Sequence, residues 1–163
     1  MRLIHTSDWH LGRTLHGVSL LDHQQVFLDW LVGQAVARQA DAVRVAGAIY
    51  DRAVPPLEAV TLLDRTLTAF AQAAIPVVLI SGNHDSYVRL GFGSALSERA
   101  GIHLRTRVAD IGHPVARGER DMNRDLKLPG NADIDRMVTA VEKVWRRLVE
   151  MLISLQKDIM KKT

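Results

Sequence analysis

The sequence predicts an α/β fold in which strands and helices alternate in the order β-α-β-α-β around a parallel sheet. Three short apolar stretches, at residues 1–7, 42–46 and 77–80, are separated by segments with apolar residues at helical spacing. Each stretch also runs directly into a loop that contains Asp, with His or Gly beside it. Because the loops after parallel strands meet at one edge of a sheet, we expect these three loops to converge.

The first helix is expected between the first strand, which should be buried, and the second. Asp22 is a typical N-cap residue, and apolar residues at helical spacing continue from there to about Gln39. The apolar positions of this helix are Val26, Phe27, Trp30, Leu31, Ala35 and Val36. The preceding residues 8–21, which contain Gly12 and Gly17, are expected to form a loop.

The second half of the pattern contains a second helix, a third strand and two short elements. Pro55-Pro56 opens the helix, and the third strand follows it at residues 77–80. A short helix at residues 94–100 and a fourth strand at residues 102–104 are expected next.

Arg44 is an unusual residue for the second strand. Central strands of a parallel sheet are buried on both faces, and an unpaired buried charge is costly. Either Arg44 extends to an edge of the sheet or the strand is disrupted at this point.

Length and composition limit the class of protein. A chain of 163 residues with 47% hydrophobic residues suits one globular domain. It contains no cysteine, which excludes a disulfide framework and a thiolate metal site. The N-terminus reaches His5 and Asp8 too early for a signal peptide, and no apolar run approaches the ~20 residues of a membrane span. We therefore expect a cytoplasmic protein without a membrane anchor.

The composition changes near residue 115. The whole net charge of +3 and all five lysines lie beyond it, so we expect a domain over residues 1–115 and a charged linker over 116–131. Residues 132–163 predict a long amphipathic helix, with apolar residues alternating at spacings of four and three. These residues are Ile134, Val138, Val141, Trp145, Leu148, Leu152, Leu155 and Ile159. The helix could pack on its own domain, form a homo-oligomer through residues 134–159, or dock onto another protein's coiled coil.

Four residues in the first and third loops suit a metal site. Asp8 and His10 are separated by one residue at a strand end, and Asn83 and His84 follow the third strand. Carboxylate, imidazole and amide ligands without thiolate favour manganese, magnesium or iron, with zinc also possible.

Three blocks carry a family resemblance. Asp8-Trp9-His10-Leu11-Gly12, the segment Ala46-Gly47-Ala48-Ile49-Tyr50-Asp51 and Gly82-Asn83-His84-Asp85 resemble signature blocks of the calcineurin-like metallophosphoesterases. Within that family, residues 1–115 are similar to the SbcD-type nuclease subunits. The resemblance implies a layered α/β domain, of which this chain holds the βαβαβ half. It also implies two divalent ions, manganese above all, a DNA substrate and a coiled-coil ATPase partner of the SbcC type.

The resemblance also implies roles for individual residues. Asp8 and His10 would hold the first ion and Asn83 the second, while His84 would act as the catalytic residue beside the scissile phosphate. Two metals of this kind activate water and stabilise the leaving oxygen in an in-line displacement.

One departure from the family pattern lies in the second block. The family has Gly-Asp where this chain has Gly47-Ala48, and that Asp bridges the two ions, so we expect one ion or none here. Asp51, three residues on, is the nearest carboxylate, but its place in the loop does not predict a replacement for the missing ligand.

A second departure concerns the histidines. The family draws metal-binding histidines from a second half of the domain that is not found in this sequence. Gly112-His113 has the right dipeptide in the wrong place, and we expect His113 to be an ordinary surface residue. Of the other histidines, only His16 is expected near the site.

Three functions remain open at this point. The first is a metal-dependent phosphodiesterase, an exonuclease or endonuclease on double-stranded DNA in repair and recombination, impaired by Ala48 and the missing half. The second is a non-catalytic form that keeps the fold and binds DNA or a partner. The third is an interaction protein in which the heptad-patterned helix is the functional part.

Overall fold

The computed structural model describes residues 1–110, 115–117 and 120–121, which all lie in one compact unit over residues 1–122. The elements in chain order are β1 (Leu3–Ser7), β2 (Thr14–Leu15), β3 (Val18–Ser19), α1 (Leu21–Ala37), β4 (Ala42–Ala46), α2 (Leu57–Gln72), β5 (Val77–Ile80), α3 (Tyr87–Leu90), α4 (Ser94–Glu98), β6 (Ile102–Arg105), a 3-10 turn (Val108–Asp110), β7 (Ala116–Arg117) and β8 (Arg120–Asp121). The long C-terminal helix predicted at residues 132–163 lies outside the described residues.

The predicted parallel sheet is confirmed. Strands β1, β4, β5 and β6 lie in that order, and each pairs in parallel with its neighbour. The strand order follows the chain order, so each connection moves one strand further across the sheet. The polar loops after β1, β4 and β5 therefore lie side by side at one edge, as the sequence predicts.

The core lies between the sheet and the helices α1 and α2. Alternate residues of the two central strands, Val43, Val45, Val77 and Leu79, have no exposed surface and pack in one cluster with residues of both helices. Phe70 of α2 is also fully buried, and burial of such a side chain contributes about 1.5–3 kcal/mol. This core fixes the two central strands, and with them the loops that follow.

The first strand and the first helix differ from their predictions. β1 is an edge strand of the four-stranded sheet, and Leu3 is 40% exposed, so the expectation of a buried first strand is wrong. In α1 the buried residues are Leu28, Leu31 and Ala35, whereas Val26 and Trp30 are mostly exposed. Only the stripe formed by Leu28, Leu31 and Ala35 is buried in the core cluster, so fewer apolar residues are covered than the helix contains.

The N-terminus of α1 also differs from the prediction. Leu20, not Asp22, occupies the N-cap position, and no side chain caps this helix end. Asp22 lies in the first turn, where its carboxylate interacts favourably with the positive end of the helix dipole. Helix α2 begins directly after Pro56, as predicted.

Arg44 does not disrupt its strand. β4 runs unbroken from Ala42 to Ala46, and Arg44 is half-buried in register between His5 of β1 and Val78 of β5. Burial, and then the nearby Arg44 charge, lower the pKa of His5. Arg44 therefore lies on the sheet face opposite the apolar cluster of Val43 and Val45, because successive strand residues alternate between faces.

Several small elements were not predicted from the sequence, the 3-10 turn and the β7–β8 pair among them. Strands β2 and β3 form an antiparallel hairpin inside the expected loop, and α3 follows the third polar loop. The short helix α4 and the strand β6 confirm the elements expected at 94–100 and 102–104, with boundaries that differ by one or two residues. In the part of the chain that the structure describes, no helix combines the length and the apolar character needed to cross a membrane.

Candidate metal centre

The first and second loops are joined through their backbones. The amide of His10 donates to the carbonyl of Ala48 and the amide of Leu11 to that of Ile49, both at 2.9 Å. The amide of Asp51 donates back to the carbonyl of Leu11 at 3.1 Å. The parallel pairing of β1 with β4 thus continues past the strand ends, and it places residue 51 beside residue 10.

The third loop is joined to the second by Asp85. One oxygen of its carboxylate accepts from the Tyr50 amide at 2.8 Å, and the other accepts from the Ile49 amide at 3.0 Å and the Gly82 amide at 2.8 Å. Hydrogen bonds to an ionised acceptor are about twice as strong as neutral ones. Asp85, the last residue of the third signature block, therefore holds the second and third loops in one arrangement.

The pKa of Tyr50 is affected by the Asp85 carboxylate that joins the two loops. Its side chain is buried, and burial together with the carboxylates of Asp85 and Asp64 raises the pKa of the phenol to about 12. The phenol is consequently neutral over the physiological range of pH. Tyr50 therefore adds no negative charge next to the Asp85 carboxylate.

His10, Asp51 and His84 form the centre of the site. His10 Nδ1 lies 3.0 Å from Asp51 Oδ1, and His84 Nδ1 lies 2.9 Å from the Asp51 carbonyl oxygen. The two imidazole rings meet edge to face, with centroids 4.7 Å apart and planes at 81°. One ligand-capable atom from each of the three residues lies within 4.8 Å of the others, and no other group of this kind occurs among the described residues.

Asp8 and Asn83 lie at the margin of this centre. Asp8 is exposed, with a φ of +54°, and its Oδ1 is 3.7 Å from the point that a Cβ on Gly47 would occupy. Asn83 is exposed and directly precedes His84. The structure thus brings His10 and His84 together as predicted, but it does not include Asp8 in the group of three described above. His16 lies in the turn between β2 and β3 and is exposed.

Residue 48 does not fit a metal-bridging role. Ala48 is 2% exposed, and its backbone is enclosed by the His10 amide on one side and Gly82 on the other. A methyl group has no lone pair to offer a metal, so this position contributes no ligand. The donor set that does fit a divalent ion is two imidazoles and one carboxylate, from His10, His84 and Asp51.

Asp51 is the residue that sequence reasoning left outside the site. It occurs in the second signature block, but nothing in that block shows that its side chain would turn toward His10. The sequence does show that a polar loop directly follows β4. Placing Asp51 beside His10 also requires knowing how that loop pairs with the first loop, and the backbone bonds of Leu11 establish this pairing.

Comparison with known proteins identifies the family of this domain. The family described as calcineurin-like phosphoesterase matches residues 1–151, and the chain belongs to that family. The match extends beyond residue 115, where the change in composition predicts a domain boundary. The convergence of three polar strand-end loops around two histidines is thus found in a phosphoesterase domain.

Two bacterial relatives are more specific. The chain is 40% identical over 122 residues to the SbcD subunit of the nuclease SbcCD of Staphylococcus saprophyticus, covering 74% of this chain and 32% of that protein. It is 37% identical over 116 residues to the corresponding SbcCD nuclease subunit of Staphylococcus epidermidis, covering 71% and 31%. The chain therefore spans about a third of the length of these curated relatives.

Proposed function

We propose that this chain is a metal-dependent phosphodiesterase of the SbcD type, which acts on double-stranded DNA and has reduced activity because residue 48 is Ala. The observation that carries the proposal is the meeting of His10 and His84 at the loop edge of a phosphoesterase sheet. The nuclease name of the two relatives supports DNA as the substrate. Repair and recombination are the processes in which such an activity would be used.

His84 is proposed to act on the phosphate. If its Nδ1–H donates to the Asp51 carbonyl, Nε2 is the nitrogen that is free to face a substrate. Protonated at Nε2, the ring can donate a hydrogen bond to a phosphate oxygen or to the departing oxygen, where negative charge accumulates. The carbonyl contact fixes the ring orientation that this role requires.

In an intact two-metal site of the family pattern, Asp8, His10 and Asn83 are the residues proposed to hold the ions, with manganese as the proposed metal. A divalent ion supplies Lewis-acid stabilisation of phosphate charge and lowers the pKa of a bound water. Because Ala48 cannot bridge two ions, we propose that the chain retains one ion or none. This loss is the proposed cause of weak or absent activity.

The proposed partners follow from the same relatives. The name SbcCD implies a nuclease with a second component, which we propose to be a coiled-coil ATPase of the SbcC type acting with this chain in the cytoplasm. The heptad pattern of residues 134–159 is compatible with such a contact, or with a homo-oligomer. Both partners are proposals for this chain.

A cleavage assay tests the proposed function. The whole chain, with Mn²⁺ and linear duplex DNA, is expected to cleave slowly, and Ala48→Asp is expected to raise the rate at least ~10-fold by restoring the bridging carboxylate. His84→Gln should abolish cleavage, whereas His23→Gln on the exposed side of α1 should not change it. Absence of cleavage in both the original chain and Ala48→Asp would contradict the proposal.

A second candidate function is a non-catalytic interaction module. The buried methyl of Ala48 at the bridging position favours it, because this side chain removes a ligand while the loop is retained. In this case the heptad-patterned segment, residues 134–159, is the part that binds a partner or a second copy of the chain. Changing Leu148 and Leu152 to Asp should convert an oligomer to a monomer in light scattering, and an unchanged mass would rule out self-association through this segment.

A further inference from the structure

We propose that this chain binds a single divalent transition-metal ion through His10, Asp51 and His84, with Asp51 supplying the carboxylate that residue 48 lacks. The inference goes beyond the proposed function, because it concerns metal binding alone and requires no cleavage of DNA. It also accounts for reduced activity, since an ion on His84 occupies the nitrogen that would face a phosphate.

The first argument is the separation of the donor atoms. Two ligand atoms that are each ~2.1 Å from one ion, at right angles, lie ~3.0 Å apart. His10 Nδ1 and Asp51 Oδ1 are 3.0 Å apart, and one ligand-capable atom from each of the three residues, His84 included, lies within 4.8 Å of the others. The first pair already has ligand spacing, and the His84 ring, whose centroid is 4.7 Å from that of His10, must move inward to complete the site.

The second argument is the orientation of His84. Its Nδ1 lies 2.9 Å from the Asp51 carbonyl oxygen, so this nitrogen donates its proton and the lone pair is on Nε2. Metal-binding histidines typically donate the other ring N–H to a carbonyl or carboxylate in this way. The His84 ring is thereby held in the tautomer that binds a metal.

The third argument is the support for Asp51. Its amide donates to the Leu11 carbonyl, and its carbonyl accepts from His84, so both main-chain groups of the residue are engaged. The two preceding residues, Ile49 and Tyr50, are bonded to the Asp85 carboxylate. A ligand on a loop that is held in this way loses little conformational entropy when it binds a metal.

The donor set selects the class of ion. Two imidazoles and one carboxylate suit Mn²⁺, Fe²⁺, Co²⁺ or Zn²⁺, whereas Mg²⁺ and Ca²⁺ prefer oxygen ligands alone. The competitor for the carboxylate is Arg13, whose guanidinium lies 3.5 Å from Asp51 Oδ1. Because the Arg13 side chain is 45% exposed, it can move into solvent when an ion binds.

An alternative set of ligands for the ion predicts a different dependence on Asp8 and Asn83. Asp51 would only orient His10 through a hydrogen bond, while the ion would bind His10 together with Asp8 and Asn83. In that arrangement the ion depends on Asp8 and Asn83, and Asp51 is a positioning residue. In the arrangement we propose, the ion is independent of Asp8 and Asn83.

Titration of the metal-free whole chain with Co²⁺ separates the two arrangements. Visible absorption reports the ligand field, and metal analysis after gel filtration reports the stoichiometry. The double variant Asp8→Asn/Asn83→Ala is expected to bind one Co²⁺ within about threefold of the original affinity. Adding Asp51→Asn or His84→Ala to it should weaken binding by at least ~10-fold, as expected for loss of a ligand. Asp22→Asn and His23→Ala are exposed controls of the same chemistry and should change nothing.

Two results would overturn the proposal. One is loss of Co²⁺ from the double variant while its circular dichroism and melting temperature stay normal. The other is unchanged Co²⁺ binding and spectrum after Asp51→Asn. Arg13→Gln gives a measurement that does not remove a ligand: freeing the carboxylate should tighten binding about two- to fivefold. The Co²⁺ titration does not depend on cleavage of DNA. It therefore tests the metal site even if the proposed function fails.

Discussion

Gly82 passes so close to Ala48 that a Cβ on residue 82 would lie 2.0 Å from the Ala48 backbone nitrogen. Real Cβ atoms essentially never approach another heavy atom within 3.0 Å, and the obstacle here is backbone, which cannot turn aside. The contact joins the loop after β4 to the loop after β5. Only glycine at residue 82 permits both loops to reach the site together.

Gly82→Ala should therefore lower the free energy of unfolding by about 3 kcal/mol, because the two loops must separate to admit the methyl group. The urea midpoint measures this loss. The matched control is Gly33→Ala in α1, where an added Cβ meets nothing within 4 Å. That change should stabilise the protein by about 0.5–1 kcal/mol, since glycine is unfavourable within a helix. Equal midpoints for the two variants would contradict the close approach of the loops.

Asp85→Asn should destabilise the protein by about 2–3 kcal/mol. The amide side chain has one acceptor oxygen in place of two, so at least one of the amides of Ile49, Tyr50 and Gly82 loses its partner. Denaturant unfolding measures the effect. Asp29→Asn removes the same charge from an exposed pair with Arg65 and should cost under ~1 kcal/mol. A comparable loss in both variants would show that Asp85 acts only through its charge.

Glu98 should contribute to acid sensitivity. Its pKa is lowered by hydrogen bonds from Arg105 and His103, so the folded state favours the carboxylate more than the unfolded state does. The stabilisation is therefore present above the ordinary pKa of 4.5 and is lost as the pH falls below it. Urea midpoints between pH 3 and pH 6 should fall less steeply for Glu98→Gln than for the original chain. Glu58→Gln, on the exposed side of α2, is the control that should keep the original slope.

Tyr50 should lower the stability of the folded protein at alkaline pH, because its pKa is shifted in the direction opposite to that of Glu98. Its pKa is raised from 10.0 to about 12, so the folded state disfavours the phenolate. The stabilisation is complete below pH 10 and is lost as the pH rises toward 12. Absorbance at 295 nm should show a tyrosine step near pH 12 that disappears in Tyr50→Phe and remains in the exposed control Tyr87→Phe. A Tyr50→Phe titration that retains this step would show that another group is responsible.

Much of the fold could be predicted from the sequence, because local pattern determines it. The central strands are apolar apart from Arg44, and α2 has both a proline start and a regular apolar stripe, which ends buried at Phe70. The burial of β1 and the outer face of α1 could not be predicted in the same way. Whether Trp30 is covered depends on which part of the fold packs against its face of α1, and the residues of the helix itself do not show that.

The candidate site was predictable in its histidines but not in its carboxylate. His10 and His84 each follow a strand of the parallel sheet, so parallel pairing alone brings them to one edge of that sheet. Asp51 lies five residues beyond the end of β4, and its position depends on the bonds between its loop and Leu11. Such register in a loop is a property of the folded chain and has no counterpart in local residue spacing.

The main-chain hydrogen bonds around residue 48 maintain the conformation of this loop without any contribution from the side chain at that position. The carbonyls of residues 48 and 49 and the amides of residues 49 and 50 are all engaged, and none of these bonds uses the side chain of Ala48. Exchange of Asp and Ala at position 48 would therefore leave these main-chain bonds in place. Metal chemistry could be lost or regained at this position by one substitution while the fold of the loop persists.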